Sequence, residues 1–170
     1  WNGDIFNIKQ PDRNSYRLIN RMMRMLVGTP WDNWANVGNH DVKFGDYKFL
    51  PDQPLETLFA GGAFKRLYDN HEAIFTAGKV KVRVVGVPYH GKRYDLKRIS
   101  KIKKGDEDYL VLCAHLLATD GTGTMFDKED VLKYSDLPEM NPGVDVWMFG
   151  HWHKDQGIRT LKNGSQVVNI

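Results

Sequence analysis

The chain has 170 residues, of which 41% are hydrophobic and 26% charged, a size and balance that predict one soluble globular domain with a real core. Its net charge of +3 permits an anionic substrate but does not demand one. A single cysteine, Cys113, excludes an internal disulfide and fits a reducing, cytoplasmic setting, and no apolar run approaches the roughly 20 residues that span a membrane.

The first predicted helix covers Ser15 to Leu26. Ile19, Met22, Met23 and Leu26 recur at helical spacing on one face, with Arg13, Arg17, Arg21 and Arg24 roughly opposite and Gly28-Thr29-Pro30 as the stop. Trp34-Ala35-Asn36-Val37 reads as a short buried strand running into Gly38. Leu55 to Tyr68 reads as helical, interrupted at Gly61-Gly62. Lys79 to Val87 alternates, Val80, Val82 and Val84 against Lys79, Lys81 and Arg83, and predicts a half-exposed strand. Asp95 to Lys104 predicts a short amphipathic helix closed by Gly105. Tyr109 to Cys113 predicts a buried strand ending at His115, Asp127 to Tyr134 a short helix, and Val144 to Phe149 another buried strand ending at the Gly150 turn. Ser165 to Ile170 closes as a strand, in a hairpin with the segment before Asn163-Gly164.

The chemistry-bearing residues fall where these apolar runs meet turns: Gly3-Asp4-Ile5-Phe6-Asn7, Gly38-Asn39-His40-Asp41, His115, and Gly150-His151-Trp152-His153. In layered α/β proteins ligands gather at the carboxyl ends of strands, and glycine there lets the backbone approach a metal or phosphate closely. Asp4 offers a carboxylate able to bridge two cations. Asn39 offers a neutral oxygen, which limits the negative charge of a site that must accept phosphate. His151 and His153 flank Trp152, so strand-like geometry points both imidazoles one way. Read singly, Asp4 and Asn39 also suit turn positions and His115 also suits a structural role. Oxygen and nitrogen donors without thiolate suit manganese, iron or zinc.

Taken in this order, from Gly3 to His153, the motifs resemble the calcineurin-like metallophosphoesterase superfamily. The resemblance implies an α/β fold, a four-layer β-sandwich flanked by helices, with metals at the strand ends. It implies two divalent metal ions, manganese placed first, with Asp4 bridging both, Asn39, His115 and His151 on the second, and His153 on the first. It implies that His40 contacts the substrate phosphate and protonates the leaving oxygen, that Asp41 orients His40 through a hydrogen bond, and that a hydroxide activated by the two metals attacks phosphorus in line. The superfamily carries a further Asp-x-His motif on the strand before Asp4. The sequence starts at Trp1, after that place, so residues 1–170 are expected to be one partial domain of a longer polypeptide, truncated at both ends.

Gly3-Asp4-Ile5-Phe6 and Val84-Val85-Gly86-Val87-Pro88-Tyr89 also resemble the double-strand-break repair exonucleases of the superfamily, the SbcD-like branch. That resemblance implies a DNA exonuclease with an ATPase partner subunit. The Arg13, Arg17, Arg21 and Arg24 face and the stretch Lys92, Arg93, Lys97, Arg98, Lys101, Lys103 and Lys104 would suit a phosphate backbone, although a solvated face needs no ligand. Two alternatives stay open: a phosphoesterase acting on small phosphoesters, nucleotides or phosphoproteins, and a non-catalytic scaffold with a degenerate metal site.

Overall fold

The computed structural model describes residues 1–8, 11–89, 96–121, 131–152 and 157–170. In chain order its strands are β1 (Trp34–Ala35), β2 (Lys65–Arg66), β3 (Glu72–Ala77), β4 (Val80–Val87), β5 (Tyr109–His115), β6 (Ala118–Thr119), β7 (Leu132–Lys133), β8 (Val146–Gly150), β9 (Ile158–Thr160) and β10 (Gln166–Asn169). The helices are α1 (Tyr16–Val27), α2 (Pro54–Ala60), α3 (Leu96–Lys101) and α4 (Leu137–Met140). The fold is mixed α/β around a central six-stranded sheet in the order β3-β4-β5-β8-β10-β9, with β1-β2 and β6-β7 as separate pairs.

Strands β4, β5, β8 and β10 run parallel, and only the edge strands β3 and β9 pair antiparallel. Parallel register places Val87, His115, Gly150 and Asn169 on one rim of the sheet. Alternation along the strands gives each face its own content. Leu110, Leu112, Trp147, Phe149 and Val167 pack with Ile99 of α3 and Leu137 of α4. On the other face Ala73 and Cys113 pack with Leu67 and Trp34, beside the half-buried Val84, Val111 and Met148. A separate core joins α1 and α2 through Ile19, Leu55, Leu58, Phe59 and Phe6.

Helix α1 follows its sequence. Ser15 Oγ accepts the Leu18 N–H at 3.2 Å, Gly28 caps the end, Ile19 is buried, and Arg17, Arg21 and Arg24 are exposed. Cys113 is buried beside Met148, and burial pushes its thiol up to about 11, as befits a packing residue.

Other elements depart from expectation. The helix expected over Leu55 to Tyr68 is α2 followed by β2: Gly61 caps α2, Gly62 is left-handed at φ +74°, and the chain then pairs with β1. The helix expected to 104 ends at Lys101, because the Asn141 amide takes the carbonyls of Ile99 and Ile102 and no Gly105 cap forms. The helix expected over Asp127 to Tyr134 lies outside the described residues as far as 130, and beyond them Leu132–Lys133 is β7, drawn into pairing with β6. Strand β3, which sequence periodicity did not announce, is the hairpin partner of β4 across the left-handed Gly78. No helix among the described residues is long and apolar enough to cross a membrane.

Candidate metal centre

The strand rim becomes a site because the chain returns to it from several directions. Asn2 and Asn36 form a parallel bridge, so the segment entering Gly3 lies beside the end of β1. Gly3 and Asp4 both take left-handed backbone, φ +85° and 52°. A side chain at Gly3 would lie 2.3 Å from His115 Nδ1, and one at Gly38 would lie 2.2 Å from the Asp4 backbone nitrogen. Only glycine lets these two loops close on each other. The Asp4 carboxylate is fixed in turn by the His40 backbone N–H, which donates to Oδ1 at 2.8 Å.

His115 ends β5 almost fully buried. Its Nδ1 donates to the Asn2 carbonyl at 2.7 Å, which in the neutral ring leaves Nε2 a lone pair. That Nε2 lies 3.1 Å from Asn39 Oδ1 and 3.2 Å from Asp4 Oδ2. The same Asn39 oxygen is 2.6 Å from His151 Nδ1. Donor atoms of Asp4, His115 and His151 all lie within 4.8 Å of one another. Ligands held about 2.1 Å from one ion stand about 3.0–3.4 Å apart, so the His115, Asn39 and Asp4 spacings, which serve as hydrogen bonds without metal, also fit a shared cation. The oxygen and nitrogen set therefore fits a divalent transition metal.

Burial pushes the Asp4 carboxyl up, but the hydrogen bond and charge of His115, with the His40 N–H, outweigh it and hold the group below its ordinary range; with no metal bound, an Nε2–H of His115 facing Asp4 Oδ2 does this, at the place a cation would take. His151 carries φ 94°, a strained value for a non-glycine residue, directly after the Gly150 turn.

His40 and Asp41 sit beside the donors but not in the arrangement the resemblance implied. Asp41 Oδ1 accepts the Phe6 N–H and Oδ2 accepts the Gly38 N–H, each at 2.9 Å. These bonds replace the expected one to His40. Asp41 thus clamps the two loops that carry Asp4 and Asn39. Burial pushes its carboxyl up to about 6, against the pull of the two N–H donors. His40 instead places Nδ1 at 2.9 Å from the Asn7 carbonyl. Asn7 serves here through its backbone.

The structure brings together Asp4, Asn39, His40, Asp41, His115 and His151. His153, assigned to the first metal, lies outside the described residues, as do Lys92 and Arg93 of the basic stretch. Of the remainder, Arg98 pairs with Asp69 at 3.0 Å and Lys104 with Asp145 at 2.7 Å. Asp145 precedes β8, so Lys104 sits at the rim opposite His151.

Three supporting residues escaped sequence reasoning. The Asn2 amide bonds the carbonyls of Ala114 and Met148, at 3.2 and 2.9 Å, so its own carbonyl is fixed against His115. Asn36, fully buried, donates to Asn2 Oδ1 and to the carbonyls of Val87 and Cys113. A buried amide in an apolar strand was the available signal. The Tyr89 ring lies 5.6 Å from that of His151 and 6.4 Å from that of His115. A cavity of about 250 Å³ opens over the donors, lined by Asn2, Gly3, Asp4, His115, Gly150, His151 and Ile170.

The family described as "Calcineurin-like phosphoesterase" matches residues 1–155. A Staphylococcus aureus protein provisionally described as a 5'-nucleotidase, solved in complex with alpha-ketoglutarate, shares the fold at TM-score 0.57 and 18% identity, covering 90% of this chain and 34% of its own. The calcineurin-like phosphoesterase YfkN from Bacillus subtilis does so at TM-score 0.51 and 16% identity, covering 91% of this chain and 57% of its own. The chain thus spans about a third to just over half of the length of these structures. No curated protein matches it in sequence.

Proposed function

Because the chain belongs to the calcineurin-like phosphoesterase family, we propose that it hydrolyses phosphoesters at the centre formed by Asp4, Asn39, His115 and His151. One observation carries this reading: His115 Nε2 faces two oxygens, Asn39 Oδ1 at 3.1 Å and Asp4 Oδ2 at 3.2 Å, spacings that a shared cation fits. Divalent ions held there would acidify a water and polarise the phosphoryl oxygens. The remaining work falls to the protein. Asn2 fixes the His115 tautomer, Asp41 holds the two donor loops together, and His40 meets the phosphate. With Nδ1–H on the Asn7 carbonyl, a protonated His40 can deliver its Nε2 proton to the leaving oxygen while that carbonyl stabilises the imidazolium.

The supported substrate is a small phosphoester, of nucleotide size. The cavity over the donors is about 250 Å³, near the lower limit for small-molecule sites. The Lys104 end of the basic stretch, already paired with Asp145, lies at the opposite rim. A second reading, a DNA exonuclease acting with an ATPase partner, is favoured by the exposed Arg13, Arg17, Arg21 and Arg24. Manganese-dependent phosphate release from nucleoside monophosphates, set beside digestion of linear duplex DNA, separates them. Release from the mononucleotide alone supports the first reading, and loss of the duplex alone supports the second.

A further inference from the structure

Three residues beyond Asp41, the chain sets an aromatic ring in an unusual place. Phe44 has φ 58° and ψ 13°, a left-handed backbone that a bulky side chain adopts at a cost, yet the residue is 77% exposed. Burial cannot be what retains it. The ring is not loose, however. It meets Phe49 edge-to-face at 5.5 Å and 72°, and the Lys43 ammonium stands 5.1 Å from its centroid. The turn beneath it is closed by Gly45 N–H to the Val42 carbonyl and Asp46 N–H to the Lys43 carbonyl.

This turn is coupled to the metal centre. Gly45 packs so closely on Tyr89 that an added side chain would lie 3.3 Å from Cε1, and the Tyr89 ring lies against that of His151. The path from Phe44 to the candidate donor His151 therefore runs through Gly45 and Tyr89. An exposed, braced aromatic ring with a cation beside it suits stacking by a planar, neutral base of a molecule that carries its negative charge elsewhere, on a phosphate.

We propose that Phe44, with Lys43, forms the specificity ledge of the site, where the base of a nucleotide stacks while its phosphate reaches the metal centre. The inference rests on the phosphoesterase reading and names the substrate class of that same site.

The test is equilibrium dialysis of adenosine monophosphate and of ribose 5-phosphate, which has no base, against the full-length protein with manganese, alongside hydrolysis of both. Wild type and Phe44→Tyr should bind the nucleotide about tenfold more tightly than ribose 5-phosphate, the scale of one base–aromatic stack. Phe44→Ala and Phe44→Gly should lose that preference, the loss falling on the nucleotide. Phe44→Gly should also melt at or above the wild-type temperature, since glycine relieves the left-handed strain. No preference in wild type, or equal losses for both compounds, would overturn the ledge. If the binding contrast holds while neither compound is hydrolysed, the phosphoesterase reading falls and the ledge stands. If both are hydrolysed with Phe44→Ala unaltered, the ledge falls and the phosphoesterase reading stands.

Discussion

His115 gives its Nδ1 proton to the carbonyl of Asn2 at 2.7 Å, and that bond decides which ring nitrogen faces the site. The proposed metal centre thus depends on a backbone atom two residues before Asp4. Replacing His115 by alanine would remove one of the proposed ligands outright. Manganese affinity should then fall by more than the roughly 10–100-fold that loss of an outer partner costs, as read by titration calorimetry. Unchanged affinity would exclude His115 from the ligand set.

His40→Ala should leave manganese binding close to wild type, because the donors to the site come from other residues. Turnover should fall by about 10²–10⁴, the usual contribution of a positioned acid or base. A matching loss of metal affinity would move His40 into the ligand set.

Asp41→Asn is predicted to act on the fold. Both carboxylate oxygens accept backbone N–H groups, and an amide must turn its NH₂ toward one of them. The cost should be about 1–3 kcal/mol. A denaturant titration measures it, and a stability equal to wild type would contradict the clamp.

Glu107 supplies a pH test away from the centre. Burial pushes its carboxyl up, but its own N–H, that of Gly105 and the Arg83 guanidinium together hold it below its ordinary range. A depressed folded-state pKa gives stability that is present above the unfolded value, about 4.3, and is lost as the pH falls through the folded one. Glu107→Gln should therefore cost about 1.5–3 kcal/mol near neutral pH, with the gap to wild type closing below pH of about 4. Parallel stability curves across the acid range would refute the assignment.

How much of this was legible in the sequence differs between elements. Helix α1 was readable because Ser15, its apolar stripe and Gly28 all act locally. The strand ends at His115 and Gly150 were readable because their apolar runs are long and bounded. Strand β2 was not, since only pairing with β1 overrides the helical look of the segment beyond Gly62. Glycine and histidine motifs marked residues that the fold brings together as candidate donors. Their partners were hidden because carbonyls carry no sequence signature: Asn2 acts on His115, and Asn7 on His40, through the backbone. The Asp41 clamp was hidden for the same reason, as its donors are main-chain N–H groups of Phe6 and Gly38.

The central claim is tested most directly by phosphate release from adenosine monophosphate with manganese, in the full-length protein and in His151→Ala, before and after chelation. Release should stop on chelation and fall sharply in His151→Ala at limiting manganese. Release that survives both chelator and substitution would contradict the claim.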